Sequence, residues 1–152
     1  MLPRILAPLL LLIFFFGIEV TESSETFTSY VVEDVSEIEI LAGSTVELVS
    51  PNRPGSKSVW VIGRFESNKL LPREGRMGDM HTKRKDDKGR RLQVFTITNV
   101  KSSPGDELKM DFWYIKPEYA EQYYNDPSAY EAMHGVKPET KVITFKVKNP
   151  DL

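Results

Sequence analysis

Leu108, Met110, Phe112 and Tyr114 occupy every second position of a run whose other members are Lys109, Asp111 and Trp113. One apolar face repeating at period two requires an extended strand laid on a core, because a helix would scatter those side chains around its circumference. The same alternation recurs in Glu37-Ile38-Glu39-Ile40 and through Val46, Leu48 and Ser50. It recurs again in residues 58–65, where Trp60 and Ile62 lie opposite Val59 and Val61, in residues 92–98 through Phe95 and Ile97, and in Ile143, Phe145 and Val147. Turn formers separate the runs: Ala42-Gly43-Ser44, Pro51, and Ser102-Ser103-Pro104-Gly105-Asp106. Short half-buried strands joined by turns predict an all-β chain folded as an antiparallel sandwich or barrel.

Two segments depart from that pattern. Residues 24–35 are polar and irregular, which fits an N-terminal tail or a weak edge strand. Residues 116–140 form a long connection between the last two strands, and connections of that length in a compact domain are often functional. Within it, Asp126 as N-cap, Pro127 at the first helical position and Gly135 as C-cap glycine predict a short helix over 128–134.

The chain opens with an address. Arg4 and the α-amino group precede a nearly unbroken apolar run from Ile5 to Ile18, which Glu19 and Glu22 end. The run is short of the ~20 residues a membrane-crossing helix needs. Ser23, with Thr21 two positions before it, supplies small residues for cleavage. Residues 1–23 therefore read as a secretory signal peptide, an uncleaved anchor being the alternative. The expected organisation is a signal peptide at 1–23, a polar tail at 24–35 and a β-sandwich domain at 36–149. The expected product is a soluble, secreted or lumenal protein with no membrane span.

The 152 residues include no Cys, and 20 Lys+Arg stand against 22 Asp+Glu for a net charge of −2. Without Cys there is no disulfide framework, thiolate zinc site or cysteine nucleophile. The charge balance excludes a generally basic nucleic-acid binder. His81 and His134 are isolated from each other and from any metal-binding or hydrolase motif. No metal, cofactor or enzymatic activity is implied, and function has to come from the loops.

The order of strands and turns resembles an immunoglobulin-like sandwich. Gly43 to Leu48 looks like the entry to strand B, Trp60 like the strand C tryptophan, and residues 95–100 like strand E turning into F. Ser50 and Met110 occupy the positions of the usual cysteine pair, so no bridge can form. Within that architecture the chain is similar to the chagasin family of cysteine-protease inhibitors, sandwiches without disulfides. That family's B–C loop carries Asn-Pro-Thr-Thr-Gly followed by an aromatic residue and a Trp. Here the run is Asn52-Arg53-Pro54-Gly55-Ser56-Lys57-Ser58-Val59-Trp60, one residue longer and without the Thr pair. The family's strand F leads through a Tyr into Arg-Pro-Trp. Here Phe112-Trp113-Tyr114-Ile115 leads into Lys116-Pro117-Glu118-Tyr119, with Glu118 in place of the Trp. Gly75-Arg76-Met77-Gly78 loosely matches the family's glycine-bearing middle loop.

The resemblance implies that these three loops share one end and plug the cleft of a papain-like cysteine protease. The residues carried over as partner-binding are Asn52, Arg53, Pro54, Gly55, Gly75, Gly78, Lys116, Pro117, Glu118 and Tyr119. Pro54 and Pro117 stiffen their loops, and Tyr119, Tyr123, Tyr124 and Tyr130 offer rigid contact area. A monomer binding a protein partner is expected. The alternative is an adhesion or recognition module of the immunoglobulin type. A basic stretch made of Lys83, Arg84, Lys85, Lys88, Arg90 and Arg91 is a candidate for polyanion binding or dibasic processing, against the plainer reading of a solvated hairpin tip broken by Asp86 and Asp87.

Overall fold

Strand β7 (Glu107–Ile115) carries the alternation of the sequence into the centre of the molecule. In the computed structural model, which describes residues 28–73 and 84–150, Leu108, Met110 and Phe112 are fully buried while Glu107 and Lys109 face solvent. The other strands are β1 (Thr28–Val31), β2 (Glu37–Leu41), β3 (Thr45–Pro51), β4 (Val59–Phe65), β5 (Leu70–Arg73), β6 (Leu92–Asn99) and β8 (Glu139–Lys148). They form two four-stranded sheets, ordered β1-β3-β6-β5 and β2-β8-β7-β4. The sets β3-β6-β5 and β8-β7-β4 reproduce the B-E-D and G-F-C arrangement of an immunoglobulin-like sandwich.

The interior lies between the sheets. Val46, Leu48, Phe95 and Ile97 from the first meet Ile38, Trp60, Phe112, Ile143 and Phe145 from the second. Phe95 and Phe112 pack edge to face across the gap with ring centroids 5.2 Å apart. Met110 is fully buried, and Ser50, at the other cysteine position, is buried too and donates its hydroxyl to Glu33 Oε2 at 2.6 Å.

Two expectations need correction. The sandwich is not wholly antiparallel: β1 runs parallel to β3 and β2 parallel to β8, so each sheet carries one parallel edge pair. Nor does the domain begin at Ser36. Of the two readings of residues 24–35, the edge strand holds for Thr28–Val31, and Val32 just beyond it is completely buried. The signal-peptide reading of residues 1–23 lies outside the described residues.

The connection between β7 and β8 is helical. Pro117–Tyr119 make a 3-10 turn, α1 spans Ala120–Asn125 and α2 spans Pro127–His134. The caps of α2 are those read from the sequence: the Asp126 side chain accepts from the Ala129 N–H, and Gly135 takes the left-handed conformation at φ 76°. This insertion covers the outer face of β4 and β7. Val61, Trp113 and Ile115 project away from the main core and pack with Ala120 and Tyr130, flanked by Val59, Tyr119 and Tyr123. Trp113 can lie flat on β4 only because residue 63 is glycine. A Cβ there would stand 2.4 Å from the Trp113 ring.

Candidate functional site

The B–C loop, residues 52–58, is built around a tight turn. The Ser56 N–H donates to the Arg53 carbonyl at 3.1 Å, with Pro54 and Gly55 at the two central positions and Gly55 at φ 77°. Proline followed by a left-handed glycine is the pattern of a type II turn, and any residue with a Cβ at position 55 would be strained. Pro54 and Gly55 are exposed at the tip.

Beneath the tip, Arg53 is committed to its own domain. Its guanidinium lies 4.0 Å from the Tyr114 ring centroid and 5.8 Å from that of Trp60. It donates to both carboxylate oxygens of Glu139, at 2.8 and 3.3 Å, and approaches Glu33 Oε2 at 3.5 Å. The Tyr114 hydroxyl donates to Ser56 Oγ at 2.8 Å. Glu33 Oε2 also accepts from Trp60 Nε1 at 3.0 Å. The loop is thereby tied to β4, β7 and the start of β8 around a small cavity of about 70 Å³. Gln93 closes the floor, its amide accepting from the Trp60 N–H at 3.1 Å and donating to the Trp60 carbonyl at 2.5 Å. Arg53, one of the residues expected to meet a partner, is half-buried and braces Pro54 and Gly55.

Replacing Arg53 with Ala should loosen the loop and not the sandwich. The closed turn should be favoured less by about 1–2 kcal/mol, a factor of 5–30 in its population. Hydrogen exchange of the Ser56 N–H in the two proteins, which should rise by that factor while the β6 and β7 amides change far less, would measure this.

The brace also fixes a pH range. The hydrogen bond from Arg53 holds the Glu139 carboxyl below the ordinary glutamate value of 4.5, and Glu139 in turn holds the Arg53 guanidinium charged more firmly than usual. A depressed carboxylate contributes above its unfolded pKa and stops contributing as pH falls through its folded one. The Arg53–Glu139 contact should persist at pH 5 and be lost only below 4.5. A carboxyl titration of Glu139 by NMR, shifted back to normal by Arg53→Ala, checks this.

Strand register decides where the other loops sit. Val59 at the start of β4 pairs with Ile115 at the end of β7, so Asn52 to Ser58 and Lys116 to Tyr119 leave the sandwich at the same end. Pro51 pairs with Leu92, so the segment entering β6 reaches that end as well. The Asn52 N–H donates to the Arg91 carbonyl at 2.9 Å. Lys116, Pro117 and Glu118 are exposed there. Tyr119 is half-buried and packs against Tyr130 and His134 at centroid distances of 6.2 and 4.6 Å. Tyr123 and Tyr130 likewise belong to the patch under the insertion, and Tyr124 alone of the four tyrosines is exposed. Gly75, Gly78, His81 and Lys83 lie outside the described residues.

The basic stretch forms a hairpin. Lys85 and Arg91 face each other in an isolated antiparallel bridge. Asp86 holds the tip, accepting from the Lys88 N–H, the Arg90 N–H and Arg90 Nε. Arg84 pairs with Glu47 at 2.6 Å. Burial pushes the Glu47 carboxyl up, but the Arg84 and Ser29 hydrogen bonds outweigh it and leave the group below its normal value. The Leu92 N–H donates to the Arg84 carbonyl at 2.8 Å, which closes the hairpin below the Lys85–Arg91 bridge.

Nothing in the described residues gathers three or more His, Cys, Asp or Glu side chains able to hold a metal ion. A larger cleft, about 440 Å³, lies toward the far end of β4 between Ile62, Phe65 and Tyr124, away from the loops.

No protein-family model and no curated protein sequence matches the chain. Its structure is nevertheless similar to solved ones. The crystal structure of the cysteine protease inhibitor EhICP2 from Entamoeba histolytica aligns over 80% of this chain and 95% of its own, with TM-score 0.53 and 9% identity. The solution structure of amebosin aligns over 82% of this chain and all of its own, with TM-score 0.51 and 17% identity. PbICP-C, determined in complex with falcipain-2, aligns over 80% and 99% with TM-score 0.39 and 12% identity. The chain thus shares the disulfide-free β-sandwich fold of chagasin-type cysteine-protease inhibitors.

Proposed function

We propose that this protein is a secreted, monomeric inhibitor of papain-like cysteine proteases. It binds without covalent chemistry and inserts the loop end formed by residues 52–58 and 116–119 into the active-site cleft. The observation that carries the reading is the braced Pro54-Gly55 turn, set beside Lys116 and Pro117 by the pairing of Val59 with Ile115. The similarity to EhICP2 supports it.

The turn is suited to occupying a protease without being consumed. A scissile peptide must lie extended across the catalytic residues, whereas Gly55 at φ 77° turns the chain back on itself. Pro54 offers no N–H for pairing with an enzyme strand and keeps φ near −65°, which suits the first central position of the turn. Arg53, Tyr114 and Ser56 hold it in that shape before contact, which lowers the entropy lost on binding. Exposed Lys116, Pro117 and Glu118 line the adjoining side.

Assaying the mature domain against a panel of papain-like proteases tests this. Tight, reversible inhibition with the domain recovered intact is expected. No inhibition by micromolar protein, or steady cleavage between Arg53 and Ser56, would end the reading.

A further inference from the structure

We infer that the loop end carries a positive rim which selects proteases whose cleft is bordered by acidic residues, speeding their capture by electrostatic attraction. This rests on the inhibitor reading and adds the chemistry of the partner.

The charge is hidden in the composition, since the whole chain is −2. Near the loop end, however, three of the acids are already used. Glu139 is held by Arg53, Glu47 by Arg84 and Asp86 by Arg90. Five exposed cations at that end, Lys57, Lys85, Lys88, Arg91 and Lys116, have no ion pair among the described residues. Among the described residues, the exposed acids Asp34, Asp87 and Glu118 oppose them. Lys85 and Arg91 stand directly across from each other on the hairpin, a like-charge pairing that costs stability. The Arg91 carbonyl is bonded to Asn52, so the hairpin is fastened to the base of the inhibitory loop. Exposed charges so placed act through the field they present to an approaching partner, within a Debye length of about 8 Å at physiological salt. Their effect belongs to the association rate, whereas dissociation is governed by the braced turn.

The test compares association and dissociation rates for an inhibited protease between the natural protein and K85E/K88E/R91E. The control is K101E/K109E/K148E, which reverses as many exposed charges at the opposite end. At low salt the loop-end variant should associate about 10-fold more slowly, dissociate at the same rate within about 2-fold, and lose the salt dependence of the natural protein. The control should associate at a rate within about 2-fold of the natural one. An equal slowing in both variants, or none in the first, would overturn the rim while leaving inhibition standing. If the natural protein inhibits nothing, both readings fall together. Retention on heparin that K85E/K88E/R91E abolishes, with association unchanged, would assign the patch to a sulfated polyanion and overturn the proposal.

Discussion

A protein shortened to begin at Ser36 is expected to lose about 4–8 kcal/mol of stability, comparable with the whole folding free energy of a domain this size. The removed stretch looks dispensable in sequence and is not in structure. Thr28–Val31 pairs with β3 along its whole length, from Thr28 against Val46 to Val31 against Val49. Val32 is fully buried, and filling the hole it leaves would restore only part of about 1.5–3 kcal/mol of burial. Glu33 goes as well, and with it the acceptor for buried Ser50 and for Trp60 Nε1. Leaving two such groups without partners costs roughly 1–3 kcal/mol each. Denaturant unfolding of proteins starting at Ser24 and at Ser36 measures the difference. Equal midpoints would show that β1 is an ornament of the sheet.

The second large effect belongs to Trp113. Replacing it with Ala should cost about 3–5 kcal/mol, with the loss centred on the helical insertion. Its ring meets Tyr123 edge to face at 4.7 Å and lies on the backbone of Gly63. Without it, Val61, Ile115 and Tyr130 lose the plate on which α1 and α2 rest. Hydrogen exchange should then rise across Ala120–His134 more than in β3 or β6. Gly63→Ala provides the complementary strain: its methyl would collide with the same ring, and overpacking of this kind costs about 1–3 kcal/mol. Uniform destabilisation in both variants would mean that the insertion and the sandwich unfold as one unit.

These two regions show what sequence can and cannot reveal. Strands β2, β3, β4, β6, β7 and β8 were legible because one face of each is oily and turns punctuate them. β1 was only half legible, because its polar flanks and its parallel pairing, which leaves no hairpin turn to mark it, left a tail equally open. β5 was hidden by its length and by Pro72, tolerable because β5 is an edge strand. Helix α2 announced itself through Asp126, Pro127 and Gly135. Helix α1 did not, because it continues from a 3-10 turn and Tyr119 at its N-cap makes no side-chain capping bond.

The candidate site was half legible. The Pro-Gly turn and the shared end of the two loops follow from local signals and strand order. The packing of Arg53, Tyr119, Tyr123 and Tyr130 within the domain did not, since a cation or tyrosine in a loop sequence carries no sign of what it folds against. The missing signal was the outer face of β4 and β7, where Val59, Val61, Trp113 and Ile115 are all apolar. A sheet that is oily on both faces requires a cover, and the tyrosines of the insertion are its nearest source. The role of Arg53 has no local signal, because Glu139 is remote in sequence and meets it only through the pairing of β7 with β8.

Amide hydrogen exchange of the domain with and without an inhibited papain-like protease tests the central claim most directly. Protection confined to residues 52–58 and 116–119 is the expected result. Protection on the β1 and β2 edges, or at the end bearing Ser103 and Gly105, would contradict it.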